Sequence, residues 1–263
     1  MKYICCLFVV SALALANPMQ PFQLGALLDE IEANQGIPPK PMDTTGLDSK
    51  LQSVLNLYFQ KSLGGEANWK KVDTLLLKGE IRFPDGETLA FKNYRKKPDL
   101  NKTIVYLPED FEIIHSFDGL EAWEWLTYES PEPCLMSPEL ALDFTRDACF
   151  GSHLIYPLLP NKKLEYLGPQ IVDEKPQLLV KVSLPNDQHV QIGLNASGFQ
   201  VSEETINSID GKKRRTIQSD FKTITGVVIP FKTKTFFDEE WIHEVRIDSA
   251  VFNKGVYSWM FKN

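Results

Sequence analysis

The sequence predicts a mainly β, α+β protein built on a curved antiparallel sheet or half-open β-barrel of about 11–12 strands, covered by an N-terminal helix and a lid helix. Three observations lead there. From Thr74 onward the apolar residues recur with period two, as along Leu75, Leu77, Ile81 and Phe83 against Lys78, Glu80 and Arg82, which marks a half-buried strand. Asp85-Gly86, Asp118-Gly119 and Asp210-Gly211 each sit between apolar or alternating runs, and Asp-Gly supplies the positive φ angles that tight hairpins between antiparallel strands require. Two segments carry a good helical pattern, and no repeat of roughly 20–50 residues is evident, which disfavours a propeller or a solenoid.

Taken in order, the chain opens with Lys2, an apolar run from Ile4 to Leu15, and Ala14-Leu15-Ala16 ahead of Asn17-Pro18. This is the pattern of a secretory signal peptide over residues 1–16, cleaved after Ala16. The run is well short of the roughly 20 apolar residues that span a bilayer. Cys5 and Cys6 lie inside it rather than at its end, which argues against a lipid-modified amino terminus. Residues 17–46 read as an arm and linker, with Phe22, Leu27, Leu28 and Ile31 in a short amphipathic stretch and then a segment rich in proline and turn formers. Leu47, Leu51, Val54, Leu55, Tyr58 and Phe59 recur at helical spacing, with Thr45 and Asp48 placed to cap and Gly64-Gly65 to stop.

Alternation then predicts strands near 74–83, 88–95, 102–107, 111–117 and 120–127. A helix follows over Ser137–Phe150, where Ser137 caps, Pro138 fits the first turn, and Leu140, Phe144 and Ala148 form an apolar stripe. Strands resume at 163–172, 177–184, 188–194, 199–207, 212–221, 227–236 and 241–252.

A formal charge of −7, made more acidic by removal of Lys2 with the signal peptide, argues against a nucleic-acid partner. Sixteen Phe, eight Tyr and five Trp are a large aromatic load, which a core or an apolar cavity must house. GxSxG, HExxH, GxGxxG and phosphate-loop signatures do not occur, nor does a Cys/His spacing suited to zinc. The expectation is therefore a protein that binds rather than catalyses, with no catalytic residue, cofactor or metal. His115, His153, His189 and His243 are scattered and read as structural. Glu121, Glu124, Glu129 and Glu132 lie near Trp123 and Trp125, which raises a carboxylate pair acting on sugar, but alternation sends Glu121 and Glu124 to opposite faces. The basic runs Arg95-Lys96-Lys97 and Lys212-Lys213-Arg214-Arg215 read as solvated. Cys134 and Cys149 either close one disulfide across the predicted helix or stay as buried thiols.

Lys97-Pro98-Asp99-Leu100, then Phe117-Asp118-Gly119, then Ala122-Trp123 and Trp125, with the late Gly226-Val227-Val228-Ile229-Pro230-Phe231, form an ordered set. It resembles the periplasmic lipoprotein carriers of the LolA/LolB type and the wider outer-membrane lipoprotein-sorting proteins. The resemblance implies one lipid-binding domain over residues 47–263 whose concave face receives acyl chains of a lipoprotein or lipid. The lining residues it suggests are Phe83, Phe91, Trp123, Trp125, Leu140 and Phe144, with helix 137–150 as lid and Lys97 as its latch. The family places an arginine before this proline, and a lysine is a point charge without the planar donor fork. The expected function is a monomeric periplasmic carrier of acylated cargo that exchanges with a membrane-protein donor or acceptor. The alternatives are a lipid-sensing regulator of the envelope and a secreted hydrolase.

Overall fold

The computed structural model describes residues 19–262, so the expected signal peptide lies outside the described residues. Thirteen strands form one antiparallel sheet. They are β1 (Thr74–Arg82), β2 (Thr88–Lys96), β3 (Leu100–Tyr106), β4 (Glu112–Phe117), β5 (Ala122–Leu126), β6 (Cys134–Leu135), β7 (Lys163–Val172), β8 (Lys175–Ser183), β9 (His189–Leu194), β10 (Gln200–Ile206), β11 (Lys213–Ile224), β12 (Val227–Phe237) and β13 (Glu240–Phe252). The sheet order β6-β5-β4-β3-β2-β1-β13-β12-β11-β10-β9-β8-β7 describes two meanders joined where the first strand pairs with the last. Twelve strands were expected; the thirteenth, β6, is only two residues long, too short to show a period.

Because β6 and β7 are the two free edges, the chain between them must pass from one edge of the sheet to the other. It does so through α4 (Pro138–Asp147) and the segment 148–162. The remaining helices are α1 (Leu24–Ala33), α2 (Ser49–Lys61) and α3 (Gly65–Trp69). α2 starts where the sequence places it, with Asp48 accepting from the Lys50 and Leu51 N–H groups at 2.9 and 3.2 Å. It ends before Gly64, which turns the chain at φ 72°. α4 is capped by Ser137, which accepts from Leu140 N–H at 3.3 Å.

The main core joins Leu51, Leu55 and Phe59 of α2 and Trp69 of α3 to Val180, Val182 and Ile192 of β8 and β9. A second, smaller cluster holds Phe117, Ala122 and Met136 against Ala141 and Ala148 of the α4 segment. The stretch expected as an arm is packed instead: Phe22 and Leu24 are buried in the main core, and Asp99 accepts from Gly25 N–H at 2.9 Å. Burial of each such side chain stabilises the fold by about 1.5–3 kcal/mol, enough to hold the segment down. Between β1 and β13 the register shifts at Gly79, where a Cβ would stand 1.9 Å from the Arg246 carbonyl oxygen. Only glycine lets these two backbones approach so closely.

Candidate functional site

Residues directly opposite one another in neighbouring strands share a face. The pairs Leu75 with Arg95, Leu77 with Asn93, and Asn93 with Thr103 therefore lie on one side of the sheet, the concave side that α2 and α3 cover. Between that face and the helices lies a cavity of about 420 Å³. Tyr58, Ser62, Leu63 and Trp69 roof it, and Phe150-Gly151 closes one side. Its walls are mostly apolar, from Leu75, Leu77 and Ile81 of β1 and Phe91 of β2 through Val227–Pro230 of β12 to Val245, Ile247 and Phe252 of β13.

Arg95 is the charged side chain on that wall. Its guanidinium donates to the carbonyls of Asp147, the last residue of α4, at 2.6 Å and of Cys149, two residues beyond it, at 3.0 Å. The Asp147 carbonyl ends the helix and lacks an intrahelical partner, and the negative end of the helix dipole favours a cation there. Burial pulls the Arg95 pKa down, and the Nε–H has no partner.

A cluster of charges fastens the other flank of α4. Arg146, 1 % exposed, donates to Asp143 at 2.7 Å and Asp147 at 3.1 Å, and Asp143 accepts from the backbone and hydroxyl of Ser208, each at 3.0 Å. Arg214 of β11 grips Asp147 through two hydrogen bonds, 2.5 and 2.9 Å, in the planar fork that only arginine provides. Burial pushes the Asp147 pKa up, but Arg214 and Arg146 outweigh it and hold this carboxyl well below the usual range. Glu203, beside Arg214 at 3.8 Å, is pushed up by burial. The basic runs expected as solvated thus split by alternation, with Arg95 and Arg214 turned inward and hydrogen-bonded.

Of the expected lining residues, Phe91 is on the cavity wall. Trp123 pairs with Ser116 and Trp125 with Ile114, whereas His115 and Phe117 are the β4 residues that meet α4. Both tryptophans consequently stand on the convex face, half-buried, and the alternation that placed them together did not say which face was concave. Phe83 is buried beside His243, 6.4 Å between ring centroids, outside the cavity wall. Leu140 and Phe144 pack into the smaller cluster, Phe144 edge-on to His115. Lys97 does not reach α4: its ammonium donates to the Trp69 carbonyl at 2.5 Å and lies 3.7 Å from that ring's centroid, so it fastens α3. Burial brings its pKa down to about 8.

Of the two alternatives for the cysteines, the structure shows free thiols rather than a disulfide, and only one of them is buried. Cys134 is exposed on the edge strand opposite Glu124, while Cys149 is buried with its thiol 3.5 Å from the Ser152 carbonyl. Glu124 itself is bound to His115 at 2.9 Å on the face away from the tryptophans, so the Trp/Glu stretch makes no shared cleft. Among the described residues no helix is long and apolar enough to cross a membrane, and no group of three His, Cys, Asp or Glu could hold a metal.

A half-open antiparallel sheet with helices over an apolar hollow defines the architecture. In solved structures the same architecture recurs in a LolA-superfamily protein from Nitrosomonas europaea, 11% identical with a TM-score of 0.53 over 81% of this chain and 97% of that one. A DUF1329-family protein from Desulfovibrio piger gives 11% and 0.56 over 81% and 97%. A domain described as an outer-membrane lipoprotein-sorting protein, from Vibrio parahaemolyticus, gives 11% and 0.53 over 74% and 93%. The chain shares its fold with these three proteins. No protein-family model matches the sequence, and no curated protein does.

Proposed function

We propose that this protein binds an acyl chain of a lipid or lipoprotein in the cavity between α2, α3 and the concave face of β1–β2 and β11–β13, and carries it without chemistry. The observation that carries the reading is the cavity itself, a hollow of about 420 Å³ with mostly apolar walls between the helices and the concave face. Apolar walls that water would otherwise wet favour an apolar occupant. Each methylene moved there from water contributes about 0.8 kcal/mol. Export by the segment 1–16 to the periplasm fits the fold shared with lipoprotein-sorting domains, and a membrane-protein donor or acceptor is the partner expected of a carrier. In this reading Arg95 holds the end of α4 at the side of the cavity, and Lys97 holds Trp69 of its roof.

Native mass spectrometry of protein extracted gently from its producing cells tests this. An adduct that dissociates as an acyl-bearing molecule is the expected result. Adduct-free protein that also ignores fatty acids, phospholipids and lipopeptides overturns it. Intact mass of the same sample tests cleavage, expected after Ala16.

A further inference from the structure

We infer that the ligand is a single-chain amphiphile with an anionic end, one acyl chain whose carboxylate or phosphate sits on Arg95; this rests on the acyl-binding reading above. The first argument is shape. The cavity lining runs from Leu75 and Arg95 to Ile81 along the strands and from Thr103 of β3 to Phe221 of β11 across them. Its volume of about 420 Å³ is room for about 14 groups the size of a water molecule's share of the liquid, which a methylene resembles. That matches one acyl chain of about that length rather than two or three.

The second argument is charge and hydrogen bonding. Among the described residues lining the cavity, Arg95 is the charged one, and the carboxylates that act on its charge, Asp147 and Glu203, are not part of that lining. The other polar groups near it are committed. Asn93 donates to Asn101 and Thr103, Ser62 to the Gly198 carbonyl, and Gln200 bridges Ser152 and Glu203. Arg95 Nε–H has no partner. A buried donor left unmatched is costly, and an anionic oxygen is the acceptor that suits a guanidinium. The apolar remainder, Leu77, Phe91 and Ile247, then takes the tail.

The test titrates the delipidated mature protein with myristate, methyl myristate, myristoyl-lysophosphatidylglycerol, dimyristoyl phosphatidylglycerol and a triacyl lipopeptide. Affinity is read by displacement of a fluorescent acyl probe and stoichiometry by native mass spectrometry. Myristate or the lysolipid should bind one to one, about 10- to 100-fold tighter than the ester, and whichever of the two wins identifies a free acid or a lipid headgroup as the source. Arg95→Gln should erase the preference for acid over ester. Ile81→Trp, at the far end, should shift the optimum to shorter chains and keep that preference, so the inference stays testable if Arg95→Gln does not fold. Equal binding of acid and ester overturns the role of Arg95. Tighter binding of the diacyl or triacyl ligand overturns the single-chain claim while leaving acyl binding intact. Binding of none of the five defeats both readings.

Discussion

Arg214→Met removes the fork that ties α4 to β11 while keeping the side chain's length. In the native protein the two hydrogen bonds to Asp147, 2.5 and 2.9 Å, join side chains 17% and 33% exposed. Breaking a buried ion pair by deleting one partner costs about 3–5 kcal/mol. Since Asp147 keeps partial solvent and its contact to Arg146 at 3.1 Å, the low end applies, about 3 kcal/mol at neutral pH after screening. Loss of an exposed pair such as Lys70 with Glu66 should leave stability essentially unchanged, because solvent screens it. The sign with pH follows from the depressed pKa of Asp147. A carboxyl held below its unfolded value contributes stability above about pH 4, lost as pH falls through the folded value. The gap between wild type and Arg214→Met should therefore narrow in acid. Urea unfolding at pH 7 and near pH 3.5, with hydrogen exchange of residues 138–147, measures this. A loss under about 1 kcal/mol at pH 7, or a gap that does not narrow, would refute the clamp.

Other outcomes follow from individual residues. His153 is buried and its pKa is brought down to about 3 by burial and by Lys162, so protonation favours the unfolded chain. Acidifying from pH 7.5 to 5 should cost about 2 kcal/mol through this residue, and His153→Gln should remove that share in paired urea titrations. Asp99 has the opposite sign: burial pushes it up to about 6, so its ionisation above that pH costs stability, and Asp99→Asn should gain on wild type as pH rises from 4 to 8. Gly79→Ala should destabilise by about 2 kcal/mol or more by thermal melting, since the new methyl meets the Arg246 carbonyl. Thiol titration should find Cys134 reactive in the native protein and Cys149, raised to about 11 by burial, only after unfolding; no free thiol in the unreduced, denatured chain would contradict the structure.

Most of the fold was legible because its signals are local. Alternation and the Asp-Gly turns located every strand except β6, and Asp48 and Ser137 marked the starts of two helices. The site was legible only in part, because its geometry depends on pairing between distant strands. Period two puts Trp123 and Trp125 together, but only the pairing with Ser116 and Ile114 turns them to the convex side. The same alternation sends Arg95 and Lys97 to one side and Lys96 to the other. Nothing local says that the inward side is that of Arg95 and Lys97, or that Arg95 meets the end of a helix some fifty residues later. α3 is five residues long and escaped notice because one turn and a half cannot display a period. The amphipathic stretch of Phe22, Leu27, Leu28 and Ile31 was legible, but its docking on the main core depends on a contact with distant Asp99.

The central claim, an acyl chain held under α2 and α3, is tested most directly by titrating a fluorescent acyl probe into wild type and Phe91→Asp. Phe91 is 6 % exposed on the cavity wall, and an unpaired carboxylate there costs several kcal/mol to desolvate against hydrocarbon. Wild type should saturate one to one, and the variant, with its sheet intact by circular dichroism, should bind about 100-fold more weakly or not at all. A wild type that binds no acyl probe, or a folded Phe91→Asp that binds as tightly, would contradict the account.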